Sequence, residues 1–273
     1  MKQYSIIHVP VLSFFSPSLY HDVCARWKGT GFAYLLLLLA VCWIPPILKM
    51  HAGLANFIDT EAPKMVAQIP KITFVNGEAS IEGEQPYTIR DPKTGQAIIV
   101  FDTTGSITSL KDTDAFGLVT KTEATFKKNA VETRSFTFKE IKAFTLDRDM
   151  ITGWLAMVKQ YVAPVAYPFA LLGSFVSRVV QLLIYAALGL ILAAWCKTRR
   201  TYTELIRLSV IAVTPCIIIK TVLGIAQISI PVPGLLYFLA AMGYLLFGIK
   251  SAATGERERA GASTSAIPPE YRD

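Results

Sequence analysis

Val176-Ser177-Arg178-Val179-Val180-Gln181-Leu182-Leu183-Ile184-Tyr185-Ala186-Ala187-Leu188-Gly189-Leu190-Ile191-Leu192-Ala193-Ala194-Trp195-Cys196 is followed at once by Lys197, Arg199 and Arg200. A long apolar helix closed by a cationic cluster is how a membrane span ends on its cytoplasmic side. The stretch therefore reads as a transmembrane helix, and its charged end sets the direction of the chain.

The rest of the sequence supports this. Hydrophobic residues make up 52% and the mean hydropathy is +0.43. Charged residues are 17%, against roughly 25% in soluble chains. The apolar residues gather in four blocks, 31–48, 163–196, 206–226 and 234–249. A backbone in hydrocarbon has to satisfy its own polar groups, so each block reads as a helix.

The formal charge is +7. Residues 49–160 hold 14 Lys/Arg and 14 Asp/Glu, a net of 14 − 14 = 0. The excess positive charge therefore sits in short segments beside the spans. That pattern expresses topology rather than a nucleic-acid surface, and no nucleic-acid partner is expected. The cysteines, Cys24, Cys42, Cys196 and Cys216, form no CxxC pair, and His8, His21 and His51 are dispersed. No zinc site, metal or cofactor is expected from such spacing.

Four spans are predicted: near 30–50, within 161–196, over 206–226 and over 232–250. Residues 1–29 precede them as a cytoplasmic or interfacial segment. The first block is read as retained rather than as a signal peptide, because Pro45-Pro46 interrupts its end and no small-x-small cleavage site follows. The second block is too long for one upright helix. Thirty-four residues would reach about 50 Å against a hydrocarbon core of roughly 30 Å. A lead-in over 150–175 and a span over 174–196 is favoured over a two-span hairpin. Ile230-Pro231-Val232-Pro233-Gly234 makes a turn before the fourth span.

Lys2, Arg26 and Lys28 precede the first span, Lys197, Arg199 and Arg200 join the second and third, and Lys250, Arg257, Arg259 and Arg272 follow the fourth. The 227–233 turn has no Lys or Arg. Both termini are thus expected in the cytoplasm and 51–160 outside it, in a bacterial plasma membrane. The tail 251–273, rich in Ala, Gly, Ser, Thr and charges, reads as disordered.

Ser16-Pro17 begins a short helix over about 17–27, with Leu19, Val23 and Trp27 on one stripe. It reads either as an interfacial helix or as a buried elbow. Residues 69–140 change to β period. Asn76-Gly77 suits a type I′ hairpin between 72–75 and 79–81. Further strands are expected at 87–90, 97–101, 116–120, 123–126 and 134–138. A helix over 147–162 links this region to the second span.

Three constellations are candidates for chemistry. Asp102-Thr103-Thr104-Gly105 follows a hydrophobic strand. It resembles the Asp-Thr-Gly of aspartic proteases, with an extra threonine and no second copy, and more faintly the aspartyl nucleophile of phosphorylating ATPases. Its plainer reading is a turn in which Asp102 bonds backbone amides and Gly105 takes positive φ. Asp102, Asp112 and Asp114 would make a carboxylate cluster, without the loop pattern of a calcium site. Arg178 and Lys220 are ionisable groups inside spans, where such groups are costly. Each can snorkel to headgroups, or together, with Gln181 about one turn from Arg178, they can form a basic site for an anionic lipid or substrate.

No P-loop, Gly-x-Ser-x-Gly, His-Glu-x-x-His or Rossmann fingerprint is present. Several short pieces do occur in a telling order: Phe15-Ser16-Pro17-Ser18-Leu19-Tyr20, Trp27-Lys28-Gly29-Thr30-Gly31-Phe32, Ile69-Pro70 with Asn76-Gly77, Asp102-Thr103-Thr104-Gly105, and Tyr202-Thr203-Glu204-Leu205 leading to Ala212-Val213-Thr214-Pro215. In these the chain resembles a bacterial family of four-span membrane proteins of unknown function that includes proteins labelled maltodextrin-utilisation protein. The resemblance implies no catalytic residues and at most an accessory role near carbohydrate uptake.

The expected fold is thus membrane α-helical, with four transmembrane helices and an inserted extracytoplasmic, mostly β domain. The expected function is non-enzymatic: a scaffold, sensor or accessory subunit with the lipid bilayer and membrane or envelope proteins as partners. The alternatives are a small transporter or lipid-handling protein using Arg178 and Lys220, and a membrane hydrolase using Asp102.

Overall fold

The computed structural model describes residues 4–27, 29–129 and 132–265. Its helices are α1 (Val9–Leu12), α2 (Pro17–Arg26), α3 (Thr30–Thr60), α4 (Ala62–Val66), α5 (Arg148–Trp195), α6 (Tyr202–Ile225) and α7 (Pro233–Ser265). Eight strands lie between α4 and α5: β1 (Ile72–Val75), β2 (Glu78–Ile81), β3 (Tyr87–Arg90), β4 (Ala97–Phe101), β5 (Gly117–Val119), β6 (Glu123–Lys127), β7 (Thr133–Thr137) and β8 (Ala143–Leu146). The chain divides into a helical unit, Met1–Lys49 with Pro164–Asp273, and a β-rich unit, Met50–Ala163.

Four helices are long and apolar enough to cross a membrane: α3, α5, α6 and the Pro233–Gly255 part of α7. Of these, α6 is central. Over its apolar stretch 56% is buried, against 22–33% for the others. It has no polar face, because protein surrounds it over Leu208–Ile217. The other three expose Leu37, Val41, Val176, Val180, Ile191 and Leu236, among others. Apolar surface on this scale is not sustained in water.

Starts and stops follow local chemistry. The Ser16 hydroxyl accepts from Leu19 N (3.4 Å), with Pro17 in the first turn, as expected. Thr201 and Glu204 form a reciprocal capping box at the start of α6.

Two sequence expectations change, and two pairs of alternatives are decided. The α3 helix does not end near residue 50 but runs through Pro45-Pro46 to Thr60. The pair removes only the donors to the Val41 and Cys42 carbonyls, and membrane helices tolerate such gaps where neighbours supply bonds. The 163–196 block is not a hairpin: α5 runs unbroken for 48 residues, about 72 Å, through Pro164 and Pro168, so the lead-in and the span lie on one continuous helix. The α2 stripe is an elbow rather than an interfacial face. Leu19, Tyr20, Val23 and Trp27 are almost fully buried, and α2 packs on α6 and α7. The exposed apolar residues here are instead Ile7, Val11 and Phe15. Finally, α7 continues to Ser265, where a disordered tail from 251 is expected. Its Ala-rich start favours helix once the preceding turns are fixed. Lys2, Lys28 and residues 266–273 lie outside the described residues.

Small residues let the helices approach. A Cβ at Gly189 would sit 3.2 Å from Leu205 and 3.3 Å from Leu245. One at Gly248 would lie 2.5 Å from Tyr20 Cδ1. That ring cannot swing aside, because Tyr20 Oη donates to Ser13 O (2.7 Å) and Phe247 packs edge-on at 5.3 Å.

The β-rich unit has two sheets, ordered β2-β1-β8 and β3-β4-β5-β6-β7. Pairings are antiparallel except β4–β5, which is parallel. Asn76 (φ 50°) and Gly77 (φ 84°) form the expected hairpin turn, with Val75 opposite Glu78. A shared core of Ile72, Phe74, Ile89, Phe101, Val119 and Phe138 draws on both sheets. On the other face of β4 and β5, Val100 and Leu118 are covered by Leu110 and Ala115 from the β4–β5 connection. A parallel pair cannot be joined by a tight turn, so this connection has to cross over and be held in place.

The packing yields a paired expectation. Gly248→Ala should lower the stability of the detergent-solubilised protein by about 1–3 kcal/mol through overpacking against Tyr20. Gly243→Ala, where no atom lies within 4 Å, should be neutral or slightly stabilising. Thermal unfolding of the two variants measures the difference.

Candidate functional site

Two groups of sequence candidates meet different fates. The first is built on three helices of the helical unit. Arg178, Gln181 and Tyr185 of α5, Val213, Cys216 and Lys220 of α6, and Gly234, Tyr237 and Ala241 of α7 line one cavity of about 180 Å³. Each helix contributes residues at i, i+3 and i+7, the spacing that puts three side chains on one helical face. Arg178, Gln181 and Lys220 thus line one cavity.

The cavity is polar on one wall. Arg178 Nη1 donates to Gln181 Oε1, and Gln181 Nε2 donates to Tyr185 Oη (2.6 Å). Phe238 packs edge-on against the Tyr185 ring at 5.7 Å. On the far wall Cys216 Sγ donates to Tyr237 O (3.5 Å). Arg178 is half-buried and Lys220 exposed. Among the described residues no Asp or Glu lines the cavity, and neither cation forms an ion pair.

Depth can be read along the helices. From Trp195 back to Arg178, and from Thr201 forward to Lys220, the rise is about 26–29 Å. A hydrocarbon core is roughly 30 Å thick. The cavity therefore lies near the end of the helical unit opposite the basic 197–205 loop. A cation there costs less than at mid-depth, but its partner still has to be found.

The second group, Asp102, Asp112 and Asp114, is not brought together. Among the described residues, no group of three or more His, Cys, Asp or Glu side chains could hold a metal ion. Asp102 is fully buried and spent on the loop that follows it. Its Oδ1 accepts from Thr104 N (2.9 Å) and Thr104 Oγ1 (2.6 Å), and its Oδ2 accepts from Ile107 N. Its own amide donates to Val119 O (2.9 Å) on β5. Gly105 takes φ +88°, as the turn reading requires. Burial works to raise the Asp102 carboxyl, and the bonds from Thr104, Ile107 and Gly105 outweigh it, holding the group below the usual carboxylate range. Asp102 thus secures the crossover that the parallel β4–β5 pair needs. Asp112 is exposed on a short 3₁₀ turn, and Asp114 borders a groove of about 680 Å³ with Arg90, Gln96, Phe116 and Lys127.

Tyr185, Cys216 and Tyr237 were not singled out from sequence. Tyr185 and Cys216 share a helical face with Arg178 and Lys220, but so do other apolar neighbours, and the cavity face of α7 carries no charged residue to mark Tyr237.

These features define a class: four candidate membrane-crossing helices, with a mostly β unit inserted in sequence between the first and second. Within that class, the chain belongs to the family described as "Protein of unknown function (DUF1189)", which matches residues 11–249. No curated protein and no solved structure matches the chain.

The Asp102 assignment has a pH signature. A carboxyl whose folded pKa is depressed stabilises the fold above its unfolded value, about 3.9, and that contribution is lost as pH falls through the folded value. Asp102→Asn should therefore destabilise the β-rich unit by about 1–3 kcal/mol at neutral pH. The gap from wild type should narrow below about pH 4. Denaturant unfolding at a series of pH values checks this, and a gap constant with pH would count against it.

Proposed function

We propose that this protein is a multi-pass bacterial plasma-membrane protein that binds an anionic group at the Arg178–Gln181–Lys220 cavity, in a lipid-handling or small-transporter role. The observation that carries the reading is the convergence of two cations on one cavity, with no acidic side chain among the described residues to neutralise them. Two like charges near hydrocarbon repel each other, and an anion supplied from outside relieves both. Snorkelling would account for either residue alone. It does not account for both lining the same pocket, with Gln181 bonded to the guanidinium.

The proposed topology places both termini in the cytoplasm and the β-rich unit outside, supported by the Lys/Arg excess at 197–200 against its absence from 227–233. A scaffold, sensor or accessory-subunit role finds support in the β-rich unit. Strand β7 ends the five-stranded sheet, and all five of its residues are exposed. An open edge of this kind is a surface for strand addition by a partner. A ligand-binding helical unit and a partner-binding sheet can belong to one accessory protein. Asp102, committed to its loop, gives the hydrolase reading no support.

Native mass spectrometry of the protein released from membranes tests the anion site. Wild type should retain anionic lipid or another anionic ligand. The Arg178→Ala/Lys220→Ala double variant should insert normally and lose it. Equal retention by both proteins would remove the basis of the proposal.

A further inference from the structure

We propose that the cavity is a site for a phosphomonoester group, from a lipid headgroup or a small soluble phosphate, and that Tyr185 is its third donor. This rests on the anion-site reading above and goes further in naming the charge and geometry of the ligand.

Charge comes first. Arg178 and Lys220 bring two positive charges to a cavity that no carboxylate of the described residues lines. A carboxylate or phosphodiester ligand, with one negative charge, would leave one cation uncompensated. A phosphomonoester carries about −1.5 to −2 near neutral pH and offers three terminal oxygens. It matches the pair.

Donor count comes second. Gln181 Oε1 takes one Arg178 N–H, which leaves the rest of the guanidinium fork to face an oxyanion. Lys220 Nζ has no hydrogen-bond partner among the described residues. Tyr185 Oη accepts from Gln181 Nε2, so its single hydrogen is directed elsewhere, and no acceptor for it occurs among the described residues. The ring is almost fully buried (6% exposed) and Phe238 packs against it, so the hydroxyl oxygen is held in place. Cys216 is not a fourth donor, because its thiol is directed to Tyr237 O. Three independent donors around one small space suit a tetrahedral oxyanion. Gln181 is a positioning residue, aligning both Arg178 and Tyr185.

Size comes third. The cavity measures about 180 Å³. That equals roughly six waters at their share of liquid volume and falls short of the roughly 300–1,000 Å³ of a drug-sized site. A phosphoryl group fits, while the rest of the ligand has to lie outside, through the opening beside the exposed Lys220 and Gly234.

The test uses the full chain in detergent, titrated with short-chain phosphatidate, with phosphatidylglycerol of the same chains, and with inorganic phosphate. Phosphatidate should bind at least roughly tenfold tighter than phosphatidylglycerol, the charge-assisted bonds being the difference. Tyr185→Phe should weaken phosphatidate roughly five- to tenfold with little effect on phosphatidylglycerol. Arg178→Gln and Lys220→Gln should weaken both. If inorganic phosphate binds and displaces phosphatidate, the ligand is a soluble phosphate; if it fails to displace, the ligand is a lipid headgroup. Equal binding of the two lipids, abolished by Arg178→Gln and Lys220→Gln, would overturn the phosphomonoester assignment and leave the anion site standing. Binding indifferent to Arg178 and Lys220 would overturn both. Should either charge variant fail to fold, Tyr185→Phe, which keeps size and packing, decides between the two lipids.

Discussion

A peptide group in hydrocarbon has no water to bond, and that constraint shapes the helical unit. It explains why the apolar blocks form long uninterrupted helices rather than hairpins or loops. It also explains why prolines at 45, 46, 164, 168 and 215 sit inside helices instead of ending them. In water each would cost about 3 kcal/mol or more. Where the alternative is an exposed backbone, continuing the helix is the lesser cost. The same constraint leaves α6 without a charged residue over Leu208–Ile217, where protein encloses it, whereas α3, α5 and α7 keep outward faces of Leu, Val and Ile.

Charge in such a setting is informative in proportion to how poorly it is satisfied. Asp102 and the Arg178–Lys220 pair show the contrast. Asp102 is the more deeply buried, yet the N–H groups of Thr104 and Ile107 and the Thr104 hydroxyl already answer its carboxylate. Its role is accounted for by folding. Arg178 has a neutral amide as partner and Lys220 has none among the described residues. A neutral amide orients a guanidinium without cancelling its charge. The unmet demand of the pair, rather than its mere presence in a span, is what points to a ligand.

Much of this architecture was legible in the sequence. Hydropathy located the four helices, Asn76-Gly77 fixed a hairpin, Ser16-Pro17 marked the start of α2, and period-two patterning found seven of the strands. Other features depend on tertiary packing. Whether the Leu19–Val23–Trp27 stripe meets lipid or protein turns on Gly248, which is small enough to admit Tyr20. The strand Ala143–Leu146 pairs with β1 from far along the chain, and its Phe144 and Leu146 carry no turn signal that would mark them. The parallel β4–β5 pair is invisible locally, although the Asp102 turn that secures it could be read correctly. At the cavity, the ionisable residues could be found because charge in a span is rare. Tyr185 and Tyr237 could not, because tyrosine in an apolar helix is ordinary until a neighbour gives its hydroxyl a direction.

The account depends most on four helices crossing one bilayer, with residues 51–160 on the face opposite the 197–205 loop. Cysteine accessibility measures this directly, using a membrane-impermeant maleimide on intact cells and single substitutions over the wild-type background. Thr94→Cys, in the exposed Asp91–Gly95 turn of the β-rich unit, should be labelled without permeabilisation. Thr203→Cys, exposed at the start of α6, should be labelled only after it. Labelling of Thr203→Cys on intact cells while Thr94→Cys stays protected, or equal labelling of both, would contradict the account.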